Sequence, residues 1–384
     1  MNKGTHAVVA AGLFLAAIST ASVIHAAEKA DRRAGTGKVV ISTVAGNGSQ
    51  DFKGDGGAAT AASLSNPRAI AVDAAGNIYI SDSTNNRVRK VDAATGVITT
   101  VAGKGTRDFS GDGGPAIKAS LAFPMGLAVD KEGHLFIADA RNHRIRRVDA
   151  KTGIITSVAG QGIRGLGGDD GPALSALMSY PTSVTLDDEG NLYIADSENG
   201  GIRRVDKKTG IISSVVGEGT PGAKTDAGGT PTIRGLFVAP VGLTYDGKGS
   251  LYVADAFLNR VKKVGVATRK VTIVAGKGVN QYCGDNGPAK EACLNQPAGV
   301  ALDAEGNVYI ADAGNDRVRR VDAKSGVVTT VAGTGQRGFS GDNGPATKAN
   351  LAFPTGVAID PKGRIVIVEP NNNRARLVEA RNGG

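Results

Sequence analysis

The chain has 384 residues, a formal net charge of +9, 41% hydrophobic residues and 4% aromatic residues. A chain of this length ordinarily forms about two or three domains. The basic residues are spread evenly along the sequence, which argues against a nucleic-acid partner. The charge is compatible with attraction to acidic glycans, lipid head groups or cell-wall polymers.

Residues 1–27 predict a secretory signal peptide. Lys3 and His6 precede an apolar run from Ala7 to Ile18, and the small residues Ala26 and Ala27 provide a cleavage site. An uncleaved N-terminal anchor is the alternative. We therefore expect a secreted or periplasmic protein without a transmembrane segment in the mature chain. A short linker at 28–37 then precedes a single folded unit at 38–384.

The sequence contains six similar copies of one segment, of which 67–103 is the first. It contains four short runs of alternating apolar residues, separated by Gly, Asn and Asp, which is typical of four β-strands joined by turns. The copies are 57 residues apart, and once 59, and they start at Pro67, Pro124, Pro181, Pro240, Pro297 and Pro354. Repetition at a fixed spacing predicts one closed array of equivalent sheets instead of separate domains.

The two ends of the array complement each other. The segment KVVISTVAG, which starts at Lys38, matches the fourth strand of a copy, but no first three strands precede it. The copy that starts at Pro354 ends after its third strand. We therefore expect the N-terminal strand to complete the sixth sheet, which closes the ring and removes a free sheet edge.

Two long connections per copy fall on the same end of each sheet, because the connections of an up-and-down sheet alternate between its ends. The first follows the second strand, and the second runs from the fourth strand to the next copy. The second link repeats GDGGPA-like sequence, as in 111–124, and predicts a tight turn followed by one helical turn that buries Leu121. This loop-rich face is where we expect a site.

The repeats P-x-G-[IVL]-A-[VL]-D, N-[ILV]-[YF]-I-A-D and N-x-R-[VI]-R-R-V-D resemble the NHL repeat, and the GDGGPA link is similar to that of teneurin-type bacterial members. The resemblance covers 38–380. It implies an all-β, six-bladed β-propeller with the N-terminal strand closing the last blade. Similar propellers serve as binding modules, sensors, RNA readers and metal-dependent lyases, so the resemblance does not imply one activity.

Charged residues that recur in most copies are interpreted as structural. An Asp after the second strand is followed by an Arg, and we expect these to cap the turn and bridge sheets: Asp82 with Arg87, Asp139 with Arg144, Asp255 with Arg260, and Asp312 with Arg317. Two copies break the pattern, since Gly201 and Glu369 replace one partner each. The Asp of each GDGG link is interpreted as turn chemistry, because one or two carboxylates per link are too few for calcium.

No catalytic residue and no metal or other cofactor is predicted. The residues that follow each repeated Pro are expected to surround the mouth of the central channel, and they do not form a metal-ligand set: Arg68, Met125, Thr182, Val241, Ala298 and Thr355. The predicted mature chain has two His residues, His134 and His143, with no flanking nucleophile motif. A metal-dependent lyase or lactone hydrolase at the channel mouth remains the alternative function.

The two cysteines, Cys283 and Cys293, lie in one long link and predict a disulfide in an exported protein. Since repeated residues are explained by the shared fold, binding residues are sought where the copies differ. We predict a face that binds an extracellular or periplasmic protein, peptide or glycan. The predicted binding residues are Arg68, Met125, Arg141, His143, Phe257 and Leu258. For Phe257 and Leu258, packing against the neighbouring link is the alternative.

Overall fold

The alternating apolar runs of each copy form antiparallel strands, as their period of two residues requires. A computed structural model describes residues 38–217 and 237–381, and residues Val39–Glu379 form one compact unit. The predicted signal peptide and linker lie outside the described residues, so they stay predictions.

Six four-stranded sheets, called blades here, lie within the described residues. Blades one to three are β2 (Pro67–Val72), β3 (Ile78–Asp82), β4 (Arg87–Val91) and β5 (Ile98–Ala102); β6 (Pro124–Val129), β7 (Leu135–Asp139), β8 (Arg144–Val148) and β9 (Ile155–Ala159); and β10 (Pro181–Leu186), β11 (Leu192–Asp196), β12 (Gly201–Val205) and β13 (Ile212–Val216). Blades four and five are β14 (Pro240–Tyr245), β15 (Ser250–Asp255), β16 (Arg260–Gly265) and β17 (Val271–Ala275); and β18 (Pro297–Leu302), β19 (Val308–Asp312), β20 (Arg317–Val321) and β21 (Val328–Ala332).

The sixth blade confirms the predicted closure of the ring. It consists of β22 (Gly356–Ile359), β23 (Ile365–Glu369), β24 (Arg374–Arg381) and β1 (Lys38–Ala45), in the order β1-β24-β23-β22. The backbone of Ile41 also exchanges hydrogen bonds with Asn343 and Gly344 of the link that precedes this blade, at 2.7 and 3.1 Å. The inner strands of neighbouring blades contact each other around the ring, and β2 contacts β22. The chain is therefore an all-β six-bladed propeller.

Short 3-10 turns connect the strands at the loop-rich face and between blades. Their bounds are Ala59–Ala61, Ala116–Lys118, Ala140–Asn142, Ala173–Ser175, Ser197–Asn199, Ala289–Glu291, Ala313–Asn315, Ala346–Lys348 and Pro370–Asn372. The turn at Ala116–Lys118 is the helical turn that the sequence predicts, and Leu121 beyond it is fully buried. Each GDGGPA link thus contributes to the contact between two blades.

The hydrophobic core lies between the blades. One cluster, for example, joins Tyr79 and Val88 of blade one to Leu127 and Ile137 of blade two. Because each sheet buries one face against each neighbour, removal of a blade would expose apolar surface on two others. Among the described residues, no helix has the length and hydrophobicity needed to cross a bilayer.

Candidate functional site

A buried cation beside a carboxylate recurs in every blade, but its partners differ from those that the sequence predicts. Asp82 lies opposite Arg87 in the strand register, yet its carboxylate is 3.2 Å from Arg89, two residues further on. The same spacing recurs in the other blades, as Asp139 with Arg146, Asp196 with Arg203, Asp255 with Lys262, Asp312 with Arg319, and Glu369 with Arg376. The predicted pairing was wrong, and Asp196 and Glu369 are not left without a partner.

The GDGG carboxylate binds the other side of the same arginine. In blade two, Arg146 lies 3.3 Å from Asp139 and 2.7 Å from Asp112, and it also donates to the carbonyl oxygens of Ser110 and Ser120. Corresponding ion pairs form in four more blades: Asp55 with Arg89, Asp169 with Arg203, Asp285 with Arg319, and Asp342 with Arg376. These link carboxylates therefore fasten the long link to its blade.

Burial of the strand carboxylates makes stability depend on pH. Burial raises the pKa of Asp82, Asp139, Asp196 and Asp312 to about 6, against an ordinary value of 3.8, and that of Glu369 to about 7. At a pH between the ordinary and the raised pKa of these carboxyls, the folded protein binds more protons than the unfolded chain. The free energy of unfolding therefore rises as the pH falls from neutral. Hydrogen bonds from hairpin residues lower the pKa of Asp149, Asp206 and Asp322 to about 2, which reverses the trend below their ordinary value of 3.8.

We expect the thermal midpoint to be higher at about pH 5 than at about pH 8, with a decline below about pH 4. Differential scanning calorimetry across this range measures it. The variant Glu369→Gln removes the most strongly raised carboxyl and should flatten the neutral limb of the curve. A midpoint that rises steadily from about pH 5 to about pH 8 would show that these carboxyls are ionised in the folded protein.

The residues after each repeated Pro line one cavity at the channel mouth, called the mouth cavity here. Its volume is about 240 Å³, and its lining includes all six predicted residues, Arg68, Met125, Thr182, Val241, Ala298 and Thr355. Gly126 leaves no room for a side chain, since a Cβ there would lie 2.5 Å from the Cα of Ser183 in the next blade. This close approach keeps the inner strands together around the mouth.

A second, wider cavity opens beside the mouth cavity, lined by residues of blades one to four, and it is called the arginine cavity here. Its volume is about 550 Å³. Arg68, Met125 and Arg141, three of the six predicted binding residues, all line it, together with Phe123 and Tyr180. The structure therefore brings together residues that are far apart in sequence.

Two guanidinium groups share one aromatic ring in the arginine cavity. The Cζ atoms of Arg68 and Arg141 lie 6.0 and 5.3 Å from the centroid of Phe123. Burial lowers the pKa of Arg68, and its Nε is buried without a hydrogen-bond partner in the described part of the chain. Neither arginine forms an ion pair with a described acid. Two positive charges thus face this cavity without a counter-ion from residues 38–217 or 237–381.

The two arginines of this cavity differ from a similar arginine in another blade. Arg337 lies 5.6 Å from the Phe353 ring, in a similar aromatic contact, but its Nε is 3.1 Å from the carboxylate of Asp316. Glu198, which also lines the arginine cavity, is 3.0 Å from Arg164. Arg337 is therefore neutralised, and Glu198 already has a cationic partner other than Arg68 or Arg141.

His143 belongs to a contact between blades. It adopts a left-handed backbone conformation, with φ 53°, and its Nδ1 accepts a hydrogen bond from the Tyr180 N–H at 3.1 Å. Asn86, Asn259, Asp316 and Asn373 accept the same hydrogen bond from the next blade. Burial lowers the pKa of His143. This shared contact accounts for its position between the blades. His143 lines neither the mouth cavity nor the arginine cavity, and its binding role stays a prediction.

The other two predicted binding residues lie apart. Phe257 is 73% exposed and Leu258 is half-buried, on the connection between β15 and β16. Neither lines the mouth cavity or the arginine cavity. Phe237, which precedes blade four, is buried, and the centroid of its ring lies 4.6 Å from the Nζ of Lys262. The binding role of Phe257 and Leu258 stays a prediction.

Cys283 and Cys293 form the predicted disulfide within the link that precedes blade five. It occupies the place of a serine pair in blade two, where Ser110 and Ser120 are hydrogen-bonded at 2.9 Å. Within the described residues, no group of three or more His, Cys, Asp or Glu side chains is arranged to hold a metal ion.

Six four-stranded blades around this mouth define a six-bladed β-propeller of the NHL type. Residues 13–108, 104–167 and 267–337 match the Teneurin NHL domain, and the chain belongs to that family. Teneurin-4 from Mus musculus is 30% identical over 282 residues, which cover 64% of this chain and 10% of that protein. NHL repeat-containing protein 2 from Bos taurus is 28% identical over 281 residues, which cover 66% of this chain and 38% of that protein. The chain therefore spans less than half the length of these relatives.

Solved structures share the fold at low sequence identity. An auxiliary nutrient binding protein from Bacteroides thetaiotaomicron has a TM-score of 0.66 and 15% identity, and the match covers 90% of this chain and 78% of that one. A gluconolactonase from Xanthomonas campestris has a TM-score of 0.54 and 13% identity, over 83% of this chain and 87% of that one. The neighbours thus include both binding proteins and enzymes, and the likeness concerns the fold alone.

Proposed function

We propose that this chain is an exported, non-catalytic propeller that binds an acidic glycan or peptide at its loop-rich face. A carboxylate of the ligand lies between Arg68 and Arg141 in the arginine cavity. The observation that carries the proposal is the pair of guanidinium groups beside Phe123, which have no acidic partner among the described residues. Guanidinium groups bind carboxylates with paired, charge-assisted hydrogen bonds.

Burial of the Arg68 guanidinium destabilises the folded protein. A buried cation costs free energy unless a counter-ion or hydrogen bonds compensate for it. Arg68 is half-buried, and its Nε lacks a partner in the described residues. A bound carboxylate would supply that partner, while Met125 and Phe123 offer apolar contact to the rest of the ligand. The side chains at the mouth are not usual metal ligands, which favours binding over metal-dependent lyase or lactonase chemistry.

Export is part of the proposal. The N-terminal sequence has the charge, apolar run and small residues of a signal peptide. The disulfide between Cys283 and Cys293 supports folding in an oxidising compartment, where such bonds persist. A ligand in that compartment would be an acidic polysaccharide or an acidic segment of an extracellular or periplasmic protein.

Titration calorimetry with three probes tests the proposal: oligogalacturonate, oligoglutamate and a neutral dextran oligosaccharide. We expect at least one acidic probe to bind with an affinity that falls as salt is added, and the neutral one not to bind. Arg68→Gln and Arg141→Gln should each weaken binding by about tenfold or more, since each removes a charged hydrogen-bond pair. The probe that binds also distinguishes a glycan ligand from a peptide ligand.

Arg337→Gln is the matched control, because Arg337 has the same kind of aromatic contact but an internal counter-ion. It should leave the affinity unchanged. Equal affinities for the acidic and neutral probes, or an unchanged affinity in both Arg68→Gln and Arg141→Gln, would show that the arginine cavity is not the binding site.

A further inference from the structure

The Asp that follows the first strand of each blade is held at a hairpin turn, and its second oxygen accepts a side-chain donor in five blades. Asn and Tyr together supply this donor in three blades, at 2.7 to 3.3 Å: Asn77 and Tyr79 to Asp73, Asn191 and Tyr193 to Asp187, and Asn307 and Tyr309 to Asp303. Lys263 lies 3.1 Å from this oxygen of Asp246 in blade four, and Arg364 lies 2.6 Å from that of Asp360 in blade six.

Blade two lacks both donors. His134 stands in the place of the Asn and Phe136 in the place of the Tyr. The Nδ1 of His134 accepts the Ala150 N–H at 3.1 Å, as the Asn77 oxygen accepts the Ala93 N–H in blade one. His134 therefore replaces the acceptor of the Asn but not its donor. Oδ1 of Asp130 accepts backbone hydrogen bonds, whereas Oδ2 accepts none from residues 38–217 or 237–381.

A cavity of about 630 Å³ opens at this carboxylate, between blades two and three. Its walls include the buried apolar side chains of Phe136, Leu192 and Val205, and Asp130 lies in its lining. Lys207 forms part of the blade-three wall, where Ala93 and Ala150 stand in blades one and two. The missing donor and the cavity thus coincide in the same blade.

The charges around this cavity favour a cationic ligand. Arg147 and His134 line it, but both lie beside Asp149, at 3.1 and 3.3 Å. Asp206 lines it but is 2.9 Å from Arg204. The remaining charged residues of the lining are two acids, Asp130 and Glu132, and one base, Lys207, so the lining carries an excess of negative charge. Blades four and six already satisfy the corresponding oxygen with a cation from the chain itself.

We propose that the cavity between blades two and three binds a small primary amine with an apolar body. The protonated amine donates to Oδ2 of Asp130, as Lys263 does to Asp246 in blade four. The apolar body packs against Phe136, Leu192 and Val205. In small-molecule sites, apolar walls usually supply the contact area and a few polar groups fix the orientation of the ligand. This site is separate from the arginine cavity and would select ligands of opposite charge.

Titration of the full chain with phenethylamine, phenethyl alcohol and phenylpropionate tests the proposal. We expect one equivalent of phenethylamine to bind, about tenfold or more tightly than the alcohol, and the anion not to bind. Asp130→Asn keeps the shape of the side chain but removes its charge, and it should weaken amine binding by about tenfold or more.

A second variant copies into blade two the residues that three other blades carry at these positions. The double change His134→Asn with Phe136→Tyr restores the two donors of blades one, three and five, so the protein satisfies Asp130 internally. It should lose amine binding and raise the thermal midpoint. Tyr309→Phe, the matched change in blade five, and Arg68→Gln in the arginine cavity should both leave amine binding unchanged. Absence of saturable amine binding to the unaltered chain, or equal binding by Asp130→Asn, would overturn the proposal.

Discussion

Replacement of Arg146 by alanine should lower the free energy of unfolding by about 3–5 kcal/mol, because removal of one member of a buried ion pair leaves the other charge buried and unpaired. Arg146 is fully buried and lies between the carboxylates of Asp139 and Asp112. Without it, Asp139 keeps only the hydrogen bonds from the Ala122 N–H and the Asn142 amide. Two carbonyl oxygens, those of Ser110 and Ser120, lose a donor as well.

The next residue provides the control for this experiment. Arg147 also forms an ion pair, 3.1 Å from Asp149, but its side chain is 29% exposed. Arg147→Ala should cost less than about 1 kcal/mol, as is usual for surface pairs. Chemical denaturation followed by circular dichroism measures both variants. Equal losses in the two variants would mean that the repeated arginine does not hold the blade together.

Deletion of the first strand should prevent the chain from folding to a soluble monomer. Strand β1 contributes Ile41 to the hydrophobic cluster on one side of blade six, and Ala45 with the partly buried Val44 to the cluster on the other side; Ile41 and Ala45 are fully buried. Burial of an Ile-sized side chain alone is worth about 1.5–3 kcal/mol. The deletion also exposes the edge of β24, which favours association between chains. An ordinary domain is stable by only about 5–15 kcal/mol, so loss of the strand removes a large part of the stability.

Size-exclusion chromatography with light scattering compares a chain without residues 38–45 with the intact protein. Two point variants provide the control on the same strand. Ile41→Ala changes a fully buried side chain and should cost about 2–5 kcal/mol, whereas Val39→Ala changes a side chain that is 50% exposed and should cost less than about 0.5 kcal/mol. A shortened chain that stays monomeric with an unchanged midpoint would contradict closure by β1.

The sequence predicts the fold almost completely, because a period of 57 residues and two complementary ends leave few alternatives to a closed ring. The ion pairs were predicted with the wrong partner, because the repeated connection places Asp82 and Arg87 close together in sequence, whereas the ion pair forms with Arg89. A signal was present in the sequence: the position of Arg89 is basic in all six blades, as Arg146, Arg203, Lys262, Arg319 and Arg376. The position of Arg87 is Gly201 in blade three, so it cannot carry a shared ion pair.

The candidate site was only partly predictable. Arg68 and Arg141 stand out as departures from the repeat, but their shared contact with Phe123 depends on how neighbouring blades meet. His143 also departs from the repeat, yet it performs the same contact as the Asn residues that it replaces. The missing donors to Asp130 follow from two departures from the repeat, His134 and Phe136, but their significance requires the hydrogen bonds of the other blades and the position of the cavity for comparison.

Thermal unfolding with and without oligogalacturonate, or oligoglutamate if that is the probe that binds, tests most directly whether the repeated residues hold the fold while the departures bind the ligand. Arg68→Gln should keep or raise the midpoint of the unliganded protein, because it removes an uncompensated half-buried charge, and it should lose the increase caused by the probe. Arg146→Gln should lower the midpoint of the unliganded protein and keep that increase. The reverse pattern, in which Arg68→Gln lowers the midpoint but still responds to the probe, would contradict the account.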